Sequence, residues 1–199
     1  MIRFITGNQI DKQKWDALIL KSQFPTIFAG YDFLSFASHK WGALIEDDYK
    51  TVLPLPYHKK WGISYIYTPP FISRLGVFSE KPIEEPQISD SFNTIPKQFK
   101  LVQLIFNPTN QLENPIYHTS FSLKLDQPYL DIQKKYSENT KRNIKTALKH
   151  QLEITHDLSL DSIIQLFQEN RGKKIKNGIP EHHYQVLRQL VNHAENEGK

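Results

Sequence analysis

Two stretches of this chain read in the same order. Residues 1–38 and 151–197 each present a short apolar-alternating segment followed by two amphipathic ones. Between them lie several period-two segments and a basic helical stretch at 129–150. A chain that opens strand-helix-helix and continues into antiparallel strands has few folds open to it, because its helices must cover the sheet that follows. The expected class is α+β: a mixed, largely antiparallel sheet flanked by helices. The second opening stops without strands of its own. The expectation is therefore a first domain at 1–125, a joining helix at 126–150, and at 151–199 the incomplete start of a second domain within a longer working protein.

Local chemistry supports each element. Ile2, Phe4 and Thr6 alternate with Arg3 and Ile5 before Gly7-Asn8 ends the run. Asp11 suits an N-cap for a helix that buries Trp15, Leu18 and Ile19. A second helix fits 31–38. Residues 41–46 and 49–57 flank Asp47-Asp48 as a hairpin. Pro54 and Pro56 lie two apart, so both missing N–H donors face one neighbour. That side of the strand is expected to be an edge, a bulge or a splay point. Residues 61–68 read as the next strand and 71–79 and 81–87 as loops. A short helix at 89–95 precedes a strand at 99–106, and 116–125 alternates through Tyr117, Thr119, Phe121, Leu123 and Leu125. Pro128 suits a helix start and Ser137 a second cap. A strand at 152–156 and helices at 162–171 and from Pro180, with Tyr184, Leu187, Leu190, Val191 and Ala194 inward, complete the reading.

Composition excludes several classes. With 39% hydrophobic and 12% aromatic residues the chain can bury a core. It contains no cysteine, which removes disulfides, thiol nucleophiles and thiolate metal sites together. Its apolar runs fall far short of the roughly 20 residues a membrane helix needs. A cytoplasmic protein with no membrane partner is expected. A net charge of +4 permits an anionic ligand. Nucleic acid is disfavoured, because Glu138, Glu169 and Glu181 interrupt the basic residues.

The stretch Tyr136-Ser137-Glu138-Asn139-Thr140-Lys141-Arg142-Asn143-Ile144-Lys145-Thr146-Ala147 resembles the joining helix of the Fem-type aminoacyl and peptidyl transferases, tandem members of the GNAT acyltransferase superfamily. The tryptophan strand at 41–55, with its acidic turn and Leu-Pro-Leu-Pro, and Tyr67-Thr68-Pro69-Pro70-Phe71 resemble the first unit of the same group. The resemblance implies transfer of an acyl or aminoacyl group to a small-molecule or peptide amine, with acyl-CoA or aminoacyl-tRNA as donor to the longer protein. It implies no cofactor held by these residues, no catalytic residue within them, and little activity from them alone. The Arg/Gln-x-x-Gly-x-Gly/Ala phosphate loop of CoA-using units is absent, and Lys40 is at best a shifted equivalent of the lysine that murein-precursor-binding members use.

Candidate binding residues fall into three groups. Lys141, Arg142 and Lys145, with Lys149, form a basic helix face that could meet an anionic substrate, or simply be solvated. Arg171 and Lys173, with Lys174 and Lys176, pose the same question on a loop. Trp41 and Tyr67, with Trp61, Tyr65 and Phe71, could line an aromatic wall or pack in the sheet. His182, His183 and His193 suggest no metal site, because adjacent helical side chains point about 100° apart and no carboxylate set completes one. A GNAT-shaped binding or scaffold module for an anionic ligand or protein partner is the rival reading. Self-association through the C-terminal helices is left open, since their apolar faces lack a sheet of their own.

Overall fold

The structure, a computed structural model, describes residues 1–112, 116, 119, 121, 123–155, 157–176, 178–196 and 198. It separates into two compact units, Met1–Asn114 with Gln168–Lys199, and Pro115–Phe167.

The first unit is a mixed, mostly antiparallel open sheet flanked by helices, its strands neighbouring one another in chain order except the fifth, which pairs with the third. Strand β1 (Ile2–Thr6) leads through a 3-10 turn at Gly7–Gln9 into helix α1 (Lys12–Lys21). As its sequence predicts, Asp11 caps α1 by accepting from the Gln13 and Lys14 amides. Helix α2 (Tyr31–Ala37) follows, then the hairpin of β2 (Lys40–Glu46) and β3 (Thr51–Lys60). Alternation divides the core between two faces. Trp41, Ala43, Ile45 and Val52 pack with Trp15, Leu18, Ile19 and Leu34 of α1 and α2. Leu44, Leu53 and Leu55 face Ile88 and Phe99 on the other side.

Strand β3 pairs with β2 continuously from Thr51 to Tyr57 and only in part on its other edge. Tyr57 to Lys60 pair with β4 (Ile63–Ile66), and Thr51 and Val52 pair with β5 (Phe78–Ser79). Among the described residues, no strand lies on that side of residues 53–56 between them. The reason lies in the two prolines. The Pro56 carbonyl accepts from Tyr67 N at 3.1 Å, so the side on which a Pro56 amide would donate is the side of β4. Pro54, two residues away, faces it too. With both donors missing, the chain leaves the sheet after Ile66 and returns at Phe78, a splay point, which is one of the three outcomes the spacing allows.

Helix α3 (Glu85–Asn93) and β6 (Phe99–Val102) complete this sheet, β6 running parallel to β4 with a bulge between Ser64 and Tyr65. Residues beyond β6 bridge the excursion. Gln103 N donates to Ile66 O at 3.0 Å, and Leu75 exchanges bonds with Ile105 O at 2.7 Å and Asn107 N at 2.8 Å. Asn110 then stands in for a missing strand residue: its side chain accepts from Val77 N at 2.7 Å and donates to Val77 O at 3.0 Å. That approach requires Gly76, which sits at φ +121° and where a Cβ would collide with Asn110 Oδ1.

Boundaries differ from the sequence reading where tertiary pairing decides. Trp61 and Gly62 form a two-residue turn at φ +51° and +82°, not strand. Helix α3 begins at Glu85 rather than 89, because Glu84 and Gln87 close a reciprocal capping box. Phe78 and Ser79 are strand, not loop. No described residue of 116–125 is in a strand; Ile116, Phe121 and Leu125 are exposed and find no ladder, and Tyr117 lies outside the described residues.

The second unit holds helices α4 (Tyr129–Lys134) and α5 (Glu138–Lys149) and most of α6 (Leu160–Glu169). The joining helix is thus broken before Ser137, which caps α5 by accepting from Thr140 N at 3.2 Å. The strand expected at 152–156 is not formed by residues 152–155, whose Leu152 and Ile154 are 70% and 90% exposed and lack a pairing edge; His156 lies outside the described residues. In the first unit α7 (Glu181–Asn196) packs on α2: His193 lies 3.2 Å from Asp32, and its ring is 5.2 Å from Phe36. Within this unit Tyr184 is buried and Leu187, Leu190, Val191 and Ala194 are half-buried.

Two substitutions test this reading. Gly76→Ala should cost about 1–3 kcal/mol in chemical denaturation, by overpacking against Asn110. Trp61→Asn should be neutral or stabilise by up to about 1 kcal/mol, since asparagine accepts a positive φ that tryptophan resists.

Candidate functional site

The break in the sheet and the docking of α7 together assemble a cluster of imidazoles and phenols. His58 follows Pro54 and Pro56 at period two, so it continues the sheet face that α1 and α2 cover. Opposite it in register stands Tyr65. His39 precedes β2, and its ring stacks on His58 with centroids 4.6 Å apart and planes 17° off parallel. The Tyr65 ring lies 5.9 Å from His58 and 5.7 Å from Tyr67. From α7, His182 approaches His39 at 6.5 Å and contacts His183 edge-on at 4.2 Å.

Two of these groups carry shifted protonation. The Tyr67 phenol is held above its ordinary value, chiefly by burial, with a hydrogen bond from the His39 backbone pulling the other way. It stays a protonated donor at neutral pH. Burial, and then neighbouring His182, hold the His183 imidazole below its usual 6.5. A neutral imidazole accepts a proton, and a protonated phenol donates a hydrogen bond. The arrangement therefore offers proton acceptors and a donor within one patch. Among the described residues, no set of three histidine or carboxylate side chains is placed to hold a metal ion.

The structure distributes the sequence candidates unevenly. Tyr67 belongs to the cluster. Trp41 does not face a ligand: it is 7% exposed, packs edge-on to Trp15 at 5.2 Å and Tyr31 at 5.3 Å, and donates from Nε1 to Ser35 Oγ at 3.1 Å. The proposed aromatic wall is thus divided between core, cluster and the Trp61 turn. On α5, Lys141 pairs with Glu138 at 2.8 Å, Arg142 donates to Asn139 at 2.7 Å, and Lys145 is exposed. Arg171 and Lys173 are exposed, beside and within a 3-10 turn at Gly172–Lys174. These two basic groups belong to different compact units. Sequence reasoning missed His39 and His58. The period-two step from Pro56 to His58 was a usable signal; His39 has none until β2 and β3 are placed in register.

A separate cleft of about 340 Å³ lies among Phe24, Phe78, Lys81, Ile83, Glu84 and Asn110. It contains no histidine or tyrosine, and its Asn110 amide is already committed to Val77.

No family model, curated protein or solved structure matches the chain.

The histidines give the α7 contact a pH dependence of known sign. A docked His183 binds protons less readily than a released one, so its contribution is present above about 6.5 and lost as pH falls below it. At the other end His193 Nε2 lies 3.2 Å from Asp32. Hydrogen exchange, corrected for intrinsic rates, should show the α7 amides beyond its first turn losing protection as pH falls from about 7.5 to 5.5.

Proposed function

We propose that this chain is a GNAT-superfamily protein of the Fem type, serving transfer of an acyl or aminoacyl group to an amine. The supporting observation is the element order of the first unit: strand, two helices, four antiparallel strands of which the last has two residues, helix and parallel strand, with the sheet opened beside Pro54 and Pro56. The sequence reading has this order but for the two-residue strand and the strand it expects at 116–125. Where the sheet opens, Tyr67 and the imidazole cluster border the gap.

The chemistry required of such a site is modest. An amine attacking a thioester or ester carbonyl must lose a proton, and the carbonyl oxygen gains negative charge. The amine proton passes to a base, the carbon–nitrogen bond forms, and the thiol or alcohol leaves carrying a proton. In this proposal a neutral imidazole of the cluster accepts the amine proton, and the Tyr67 hydroxyl donates toward the developing oxyanion. Positioning supplies the larger share of the rate. A second reading, a non-catalytic module that binds an anionic ligand, is favoured by the missing glycine-rich phosphate loop.

The cysteine-free chain permits a direct assay. Release of free CoA thiol from a panel of acyl-CoA donors and amine acceptors can be followed with a thiol reagent without background from the protein. Amine-dependent release that falls about 10²-fold or more in Tyr67→Phe and His58→Gln is expected. Aminoacyl-tRNA donors, read by loss of the ester, form the second arm. A donor that raises the melting temperature without any transfer would replace this reading with the binding module.

A further inference from the structure

The end of the sheet that carries the β3–β4 turn has a composition no other feature explains. Residues 51–79 and 94–112 contain no aspartate or glutamate. The register brings these two stretches together: Lys60 pairs with Ile63, Lys59 with Ser64, and Ser64 with Phe99, which is flanked by Lys97 and Lys100. Lys40 enters at the same end, opposite Tyr57. All five lysines are exposed, and none has an acidic partner among the described residues. The opposite end of the β2–β3 hairpin carries Glu46, Asp47 and Asp48, so the hairpin is polarised along its length.

Beyond the lysines, the tip itself is apolar. Trp61 is 88% exposed and Ile63 52% exposed. Trp61 adopts φ +51°, a conformation that asparagine or glycine takes at less strain. Its ring lies open to water, with the Lys60 ammonium 4.6 Å from the centroid. A bulky apolar side chain held strained and in water, at the farthest point of a lysine collar, gains nothing from folding.

We propose that this hairpin tip docks on an anionic lipid surface, with Trp61 and Ile63 entering the headgroup region and Lys40, Lys59, Lys60, Lys97 and Lys100 facing lipid phosphates and carboxylates. Tryptophan favours that interface because its ring is apolar and its N–H polar. Lysines near an anionic leaflet each strengthen binding about fivefold. The same lysines could meet a nucleic acid, but an aliphatic isoleucine has no face on which a base stacks, and Lys60 occupies the Trp61 ring. The contact is peripheral and reversible, needs no membrane-crossing helix, and does not depend on acyl transfer. It reverses the expectation, drawn from apolar run lengths, that the chain has no membrane partner.

Vesicle sedimentation tests it. The chain should bind phosphatidylcholine vesicles containing phosphatidylserine, with binding falling steeply as salt rises, and should leave pure phosphatidylcholine vesicles largely unbound. Trp15 and Trp41 are buried, so a blue shift and quenching by lipid-borne bromine report Trp61 alone. Lys59→Gln with Lys60→Gln should weaken binding about 25-fold. Trp61→Asn, suited to the turn, should abolish the spectral change and weaken binding while the chain stays folded. The charge-matched Lys149→Gln with Lys176→Gln should stay within about twofold. Absence of vesicle binding, equal loss in the charge-matched pair, or binding without bromine quenching would overturn the proposal. So would tighter binding to single-stranded polyuridylate with Trp61 quenched, which would assign the surface to nucleic acid.

Discussion

Two missing amide hydrogens, at Pro54 and Pro56, decide how the first unit is put together. Both fall on one edge of β3, so β4 cannot run beside it without a break. The chain accommodates this by leaving the sheet after Ile66 and coming back at Phe78. The parallel strand β6 and its extension hold the two ends through Ile66, Thr68 and Leu75. Asn110 closes the second half by offering a side-chain amide where a backbone amide would otherwise pair. A buried, doubly bonded side-chain amide is a costly group to misplace, which explains why Gly76 must leave room for it.

The other face of the sheet depends on aromatic packing. Trp15, Trp41 and Tyr31 meet edge to face, and each polar tip has a partner: Trp15 Nε1 donates to Ala29 O at 2.7 Å, Trp41 Nε1 to Ser35 Oγ at 3.1 Å, and the Tyr31 hydroxyl to Gly7 O at 3.1 Å. These bonds tie α1, α2 and the turn after β1 to β2, because rings of this size bury large area only when their N–H and O–H groups are satisfied. Helix α7 uses what remains of that surface. Its two ends are held by different contacts, ring packing of His182 and His183 near His39 at one and His193 against Asp32 and Phe36 at the other. The cluster that borders the sheet opening is therefore built partly by a helix distant in sequence. Access to it is coupled to how firmly that helix sits.

How much was legible in the chain varies by feature. Caps were legible because they are local: Asp11 and Ser137 sit where their side chains reach amides two or three residues on. The β2–β3 hairpin and the splay at the prolines followed from alternation and from a missing donor. The aromatic candidates were not separable by sequence, since Trp41, Trp61 and Tyr67 differ only in which strand position and neighbour they meet. His39 and His58 illustrate the limit most clearly. Their stacking depends on the offset between β2 and β3, which no spacing within either strand encodes.

The sequence by itself determined which segments are helix, where two helices begin, and that one edge of β3 cannot donate. Those properties live in single residues and in periods of two or 3.6. Tertiary structure alone decided that apolar alternation at 116–125 and 152–155 yields no strand among the described residues, because a strand exists only where another offers its backbone. It likewise decided that α7 packs on α2, and that lysines from three separate strand ends and one loop lie at the same end of the sheet as Trp61. Convergence depends on register and packing, and these are set by pairs of residues far apart in the chain.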